Sequence, residues 1–122
     1  MNQYDLLIKN GKVRTAVDSF EAEIGVSEGK ITAIGQNLGK AERTIDAEGM
    51  LVLPGGIDAH CHIEQESSTR IMTADDFYSG SVSAAFGGNT TFLPFAAQHR
   101  GQSLREVIET ARERAQSKAV ID

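Results

Sequence analysis

Two histidines one residue apart, His60 and His62, close an apolar run that reads Leu51-Val52-Leu53-Pro54-Gly55-Gly56-Ile57-Asp58-Ala59-His60-Cys61-His62. Side chains alternate faces along a strand, so both imidazoles point to one side. Asp58 shares their parity, while Ile57, Ala59 and Cys61 face the other way. Two neutral imidazoles on a strand end make half of a zinc-type centre, because such centres need three or four ligands. Spacing alone is a weak signal: among three histidines, a pair two residues apart arises by chance in about 5% of chains of this length. A histidine at a strand end is also commonly satisfied by a backbone carbonyl or water. The weight therefore falls on the elements that carry the pair.

Those elements read as two parts. Residues 4–53 have the alternating, turn-punctuated pattern of a small β domain. Tyr4 to Lys9 and Lys12 to Val17 are strands, and Asn10-Gly11 between them is the dipeptide that a tight type I′ hairpin favours. Ala22 to Val26 and Lys30 to Gly35 form a second hairpin around Glu28-Gly29, and Arg43 to Asp46 makes a short strand. Pro54-Gly55-Gly56 then punctuates the entry to the histidine strand. After His62 comes a polar loop, Glu64 to Met72, with a turn expected at Ser67-Ser68-Thr69. Thr73 with Asp76 reads as a capping box opening a helix that runs to about Phe86, and Gly87-Gly88 ends it. Asn89 to Ala96 is apolar almost throughout, as a strand buried on both faces should be, with Pro94 near its end. Ser103 with Glu106 opens a second helix. Its apolar stripe is Leu104, Val107, Ile108, Ala111 and Ala115, and Arg105 and Glu109 are spaced to pair on its wet side. Ala119 to Asp122 reads as the beginning of a further buried strand. Strand, helix, strand, helix, strand is the α/β pattern of a parallel sheet with right-handed crossovers.

Composition narrows the function classes. The 122 residues are 40% hydrophobic and 24% charged, which suits a folded domain with one core. The net charge of −5 has both signs interspersed, so no basic stripe supports a nucleic-acid partner. No apolar run approaches the ~18 residues of a membrane span. Met1 to Asp5 lacks the charged and apolar regions of a secretory signal, and the single cysteine cannot form an internal disulfide; the expected compartment is the cytoplasm.

The stretch from Thr44 to Met50 followed by Leu51 to His62 resembles the entry signature of the amidohydrolase superfamily, and within it the dihydropyrimidinase and D-hydantoinase family. Asp75-Asp76-Phe77, Ala84 to Thr91 and Lys118 to Asp122 follow in that family's order, so the likeness spans essentially the whole chain. It implies that residues 1–53 are the N-terminal part of a β-sandwich domain. Residues 54–122 would be the first βα units of a metal-dependent TIM (β/α)8 barrel, a fold that needs ~250 residues and is therefore truncated here. The implied activity is hydrolysis of a cyclic amide or imide ring, in hydantoins or dihydropyrimidines, by metal-activated hydroxide attack on the ring carbonyl. Two divalent metals, usually Zn2+, would be bridged by a carbamylated lysine absent from this chain, and Lys118 does not match it. His60 and His62 would ligate the more buried metal, and Asp58 would act behind them, orienting an imidazole or tying down the strand end.

The resemblance puts Glu64 and Gln65 in the substrate loop, where many relatives carry apolar residues. Glu64 and Glu66 could also be read as ligands or acid-base groups, although charged loop residues usually face solvent. His99 follows the second strand, and no family ligand maps onto it. Asp75 and Asp76 fit the dipole of a helix start without any catalytic role. The expected partners are a small cyclic amide and further copies of the same chain, commonly a homotetramer, with the 122 residues inactive by themselves. Two alternatives stay open: a neighbouring cyclic amidohydrolase of allantoinase or dihydroorotase type, and a non-catalytic scaffold relative. Retention of both histidines favours an enzyme.

Overall fold

A computed structural model describes residues 3–67 and 69–122. Met1 and Asn2 of the N-terminal reading, and Ser68 of the expected loop turn, lie outside the described residues. The chain divides into two units between Pro54 and Gly55.

The first unit is a five-stranded sheet of β1 (Tyr4–Arg14), β2 (Ser19–Ser27), β3 (Lys30–Gly35), β4 (Ala41–Asp46) and β5 (Leu51–Val52). β2 lies antiparallel to β1 and to β3, whereas β4 and β5 run parallel to β1 on its other edge. Its core holds the fully buried Leu7 together with Tyr4, Val13, Ile24 and Ala47. The Tyr4 ring lies across Gly25, where an added Cβ would stand 2.6 Å from Tyr4 Cε1, so only glycine fits beneath it.

The expected hairpin at Asn10-Gly11 is not there. β1 runs unbroken through both residues, and the register against β2 slips by one between the pairs Ile8↔Ile24 and Gly11↔Ala22. Asn10 does take the positive φ that the dipeptide signals, at 56°, but it uses it to form a β-bulge. Contacts from far along the chain decide between the two outcomes. The Asn10 side-chain amide donates to both carboxylate oxygens of Asp46 at 3.0 Å, and a Cβ at position 11 would collide with Val52 Cγ2. The real reversal comes at Thr15–Asp18, where Thr15 N–H donates to Asp18 O and the Thr15 hydroxyl accepts from two backbone N–H groups. The second hairpin forms as its pattern suggests, with Glu28 and Gly29 at φ 52° and 72°.

The second unit alternates β6 (Gly56–Cys61), α1 (Phe77–Phe86), β7 (Asn89–Pro94) and α2 (Leu104–Gln116). β6 and β7 are parallel, and Phe95 N–H extends their ladder by donating to Cys61 O at 2.8 Å. Phe77 of α1 and Phe92 of β7 are buried against each other with ring centroids 6.4 Å apart. Small residues let α1 approach its neighbours closely: a Cβ at Gly80 would lie 3.1 Å from Ile63. Ser81, with no exposed surface, accepts from Val120 N–H at 3.0 Å and donates to Tyr78 O. That bond aligns the end of the chain with β7, where Phe92 N–H donates to Asp122 O and Asp122 N–H to Thr90 O.

Two local expectations change. The capping residue of α1 is Asp76, not Thr73: its carboxylate accepts from Ser79 N–H at 2.8 Å while the Ser79 hydroxyl accepts from Asp76 N–H. Thr73 is drawn instead into the preceding loop. On α2 the Ser103/Glu106 capping box forms as read, but Glu109 pairs with Arg112 at 3.5 Å where Arg105 was expected. Of the α2 stripe only Val107 is buried, and Leu104 and Ile108 remain half exposed or more.

Candidate metal centre

β6 delivers the two imidazoles. It ends at Cys61, so His60 is its penultimate residue and His62 is the first beyond it. Asp58 Oδ1 accepts from His60 N–H at 3.1 Å, which pins the backbone at the strand end and leaves the imidazoles untouched by that carboxylate. The two rings stand side by side, centroids 5.2 Å apart and inclined at 53°, and both side chains are exposed. Each also packs on Phe95, at 5.2 Å for His60 and 5.4 Å for His62, with ring planes 28° apart in both cases. One aromatic face thus backs both imidazoles and limits how far either can turn. Phe95 was not among the expected site residues. Its signal was the parallel pairing itself, since Cys61 lies opposite Pro94 and the next step along brings His62 beside Phe95.

Gln65 and Glu64, read together as substrate-loop candidates, part company. Gln65 turns to the site, with its Oε1 2.6 Å from His62 Nδ1. Glu64 turns away. Its carboxylate is held by Lys118 Nζ at 2.8 and 2.9 Å and accepts from Phe77 N–H at 3.1 Å, while its own N–H donates to Asp75 O. Lys118 also lies 3.7 Å from Asp76. Glu64 therefore clamps the loop between the start of α1 and the segment after α2, and its charge is spent there. The reason it escaped sequence reading is its partner's distance, 54 residues along the chain.

Burial works against the charge on Glu64, but the hydrogen-bonded Lys118 ammonium and the Phe77 N–H outweigh it, and the carboxyl sits below its usual value. Lys118 is raised above the ordinary lysine value, chiefly by the same hydrogen bond. A carboxyl lowered by folding contributes stability that is present above its unfolded value and lost as pH falls through its folded value. Glu64→Gln is accordingly expected to cost about 1–2 kcal/mol at neutral pH, the worth of a charge-assisted hydrogen bond that keeps some solvent contact. The penalty should shrink in acid; urea midpoints at the two pH values check it, and an undiminished penalty in acid would contradict the clamp.

Glu66 is half buried, and its backbone is bridged to Met72. His99 N–H donates to Gln102 Oε1. Both residues line a small cavity of about 100 Å³ with Gln102, Val107 and Arg114, and neither His60 nor His62 borders it. Asp75 and Asp76 serve the start of α1, as their position suggested. Among the described residues no group of three histidine, cysteine or acidic side chains is gathered closely enough to hold a metal. His60 and His62 fit a metal as two adjacent nitrogen donors and no more, so any further ligands must come from outside the described residues.

No family model matches the chain. The D-hydantoinase of Geobacillus stearothermophilus is 46% identical over 117 residues, covering 95% of this chain and 25% of that protein. The allantoinase of Salmonella newport is 38% identical over 120 residues, covering 98% of the chain and 26% of its length. A solved structure of D-hydantoinase superposes with a TM-score of 0.91 at 47% identity, over 97% of this chain and 26% of the other. The chain spans about a quarter of the length of the curated relatives it matches.

Proposed function

We propose that this chain, which belongs to the dihydropyrimidinase and D-hydantoinase family of the amidohydrolase superfamily, supplies the first metal ligands of a hydrolase that opens cyclic amide rings. The observation that carries the reading is the pair His60 and His62, exposed side by side at the end of a parallel strand and backed by Phe95. In this reading residues 1–53 belong to a β-sandwich and residues 54–122 open a (β/α)8 barrel, whose chemistry lies at the carboxyl ends of its strands. The imidazoles sit at that end of β6.

The chain's own residues hold and orient. His60 and His62 each offer one ring nitrogen to the same divalent metal, zinc in this proposal, as part of a two-metal centre. Asp58 stiffens the strand end through the His60 N–H, so the donors do not drift apart. Phe95 shields one side of both rings from water, leaving the opposite side for ligand and substrate. When bound, the metal pair supplies Lewis acidity at the ring carbonyl and brings the pKa of a bound water near 7. A bridging carbamylated lysine and the remaining ligands lie outside these 122 residues. Glu64 is committed to Lys118 and has no part in the chemistry.

Hydantoins and dihydropyrimidines are the proposed substrates, and assembly as a homotetramer in the cytoplasm is proposed with them. No helix among the described residues is long and apolar enough to cross a membrane. A scaffold role is the weaker reading, since a protein without catalysis has no use for two aligned, exposed imidazoles. The test is metal analysis of the protein at its natural length, followed by hydrolysis assays on hydantoin, dihydrouracil and allantoin. Two metals per chain with turnover of either of the first two is the expected result. A metal-free protein, or one that opens allantoin alone, would overturn the assignment.

A further inference from the structure

We infer that Gln65 is a positioning residue that sets the tautomer of His62, holding the proton on Nδ1 and leaving Nε2 as the free donor. This rests on the metal-binding reading above and adds to it the group that decides which nitrogen is offered. The contact between His62 Nδ1 and Gln65 Oε1 is 2.6 Å, short for a neutral pair. An amide oxygen only accepts, so a bond of that length requires a hydrogen on Nδ1. A neutral imidazole carries one proton, and with it fixed on Nδ1 the Nε2 lone pair is left unused on the side away from Gln65.

Gln65 can impose this choice because its own backbone is fastened at both ends of the residue. Its N–H donates to the Thr73 hydroxyl at 3.0 Å, and its carbonyl accepts from Thr73 N–H at 3.0 Å. The Thr73 hydroxyl in turn donates to Asp75 O at 3.2 Å, directly before the cap of α1. The loop between the two anchors is closed by the Glu66↔Met72 bridge and by Ser67 N–H donating to Ile71 O. The side-chain amide is thus presented to His62 from a loop tied to the helix start. This also accounts for the displaced capping box: Thr73 holds Gln65 while Asp76 caps the helix.

The arrangement answers a specific need. His60 is steadied by Asp58 through its backbone and by Phe95 through its ring, but His62 lies beyond the last residue of β6 and loses the strand's restraint. A ligand free to flip or to change tautomer presents its lone pair only part of the time. Outer partners of ligating histidines typically contribute 10–100-fold in metal affinity by removing that freedom.

The test uses the protein at its natural length, labelled with 15N-histidine, with the His62 signals assigned by difference against His62→Asn. Spectra of the metal-free protein at a pH where imidazoles are neutral report the tautomer directly. The wild type should show a protonated Nδ1 and an unprotonated Nε2 for His62. Gln65→Leu should lose that preference and bind Zn2+ about 10–100-fold more weakly. Gln65→Glu, whose carboxylate also only accepts, should keep the tautomer and most of the affinity, which separates positioning from a general loss of folding. Protonated Nε2 in the wild type, or a tautomer unchanged in Gln65→Leu, would overturn the inference. Failure of the wild type to bind Zn2+ counts against the metal reading instead, because the imidazole signals are recorded without metal.

Discussion

Replacing His60 and His62 together with alanine is expected to remove bound metal and to lower kcat/KM for hydantoin opening by at least ~10³-fold in the natural-length protein. The size follows from what is lost. Uncoordinated water has a pKa of about 15.7 and coordinated water about 7, so losing the donors withdraws most of the nucleophile available at neutral pH. Two features argue that the loss would be local. Both side chains are exposed, so their truncation opens no buried cavity, and His60's strand-end bond is made through its backbone N–H, which alanine retains. Circular dichroism and urea midpoints should match the wild type while metal content, measured by mass spectrometry, falls. Either single variant should show the same direction, with residual metal held by whatever ligands remain. A double variant that kept its metal and turned over at the normal rate would show that the paired rings are incidental.

The largest expected effect on stability lies in the first unit. Leu7→Ala removes the one large apolar side chain that is fully buried there, between strands on both edges of β1. Deletions of this kind cost about 3 kcal/mol, the sum of lost transfer energy and an incompletely collapsed cavity. Against a domain stability of roughly 5–15 kcal/mol that is a substantial fraction. Ile31→Ala, at a position 63% exposed on β3, should change stability by less than about 0.5 kcal/mol. Urea unfolding of the two variants side by side gives the check. Equal penalties would mean that the core of this sheet is not where Leu7 sits.

Short-range patterns were legible and long-range choices were not, and the same residues often show both. The Ser103/Glu106 box needs only the first turn of α2, so it could be read directly and it formed. Thr73 and Asp76 satisfied the same rule, but Asp76 had an equally local rival partner in Ser79. What tipped the balance was the Gln65 backbone claiming the Thr73 hydroxyl. Asn10-Gly11 announced a positive φ truthfully; whether that becomes a hairpin or a bulge depended on Asp46 and Val52, some forty residues away. At the site, strand parity was enough to bring His60 and His62 together. Parity says nothing about Glu64 and Gln65 in the loop beyond. One was captured by Lys118 and the other by His62, and only the folded chain tells them apart.

The bulge at Asn10 carries a consequence for how this segment tolerates change in length. On one edge β1 stays with β2 throughout, while on the other it passes from β4, opposite Tyr4 to Lys9, to β5, opposite Lys12 and Val13. The extra residue advances the in-and-out alternation by one step at that handover. Excising it would restore an unbroken ladder and yet invert everything downstream, sending the Lys12 ammonium inward and turning Val13 out to water. Position 10 thus works as a phase marker, where a swapped letter is a local matter and a missing one rewrites the rest of the strand.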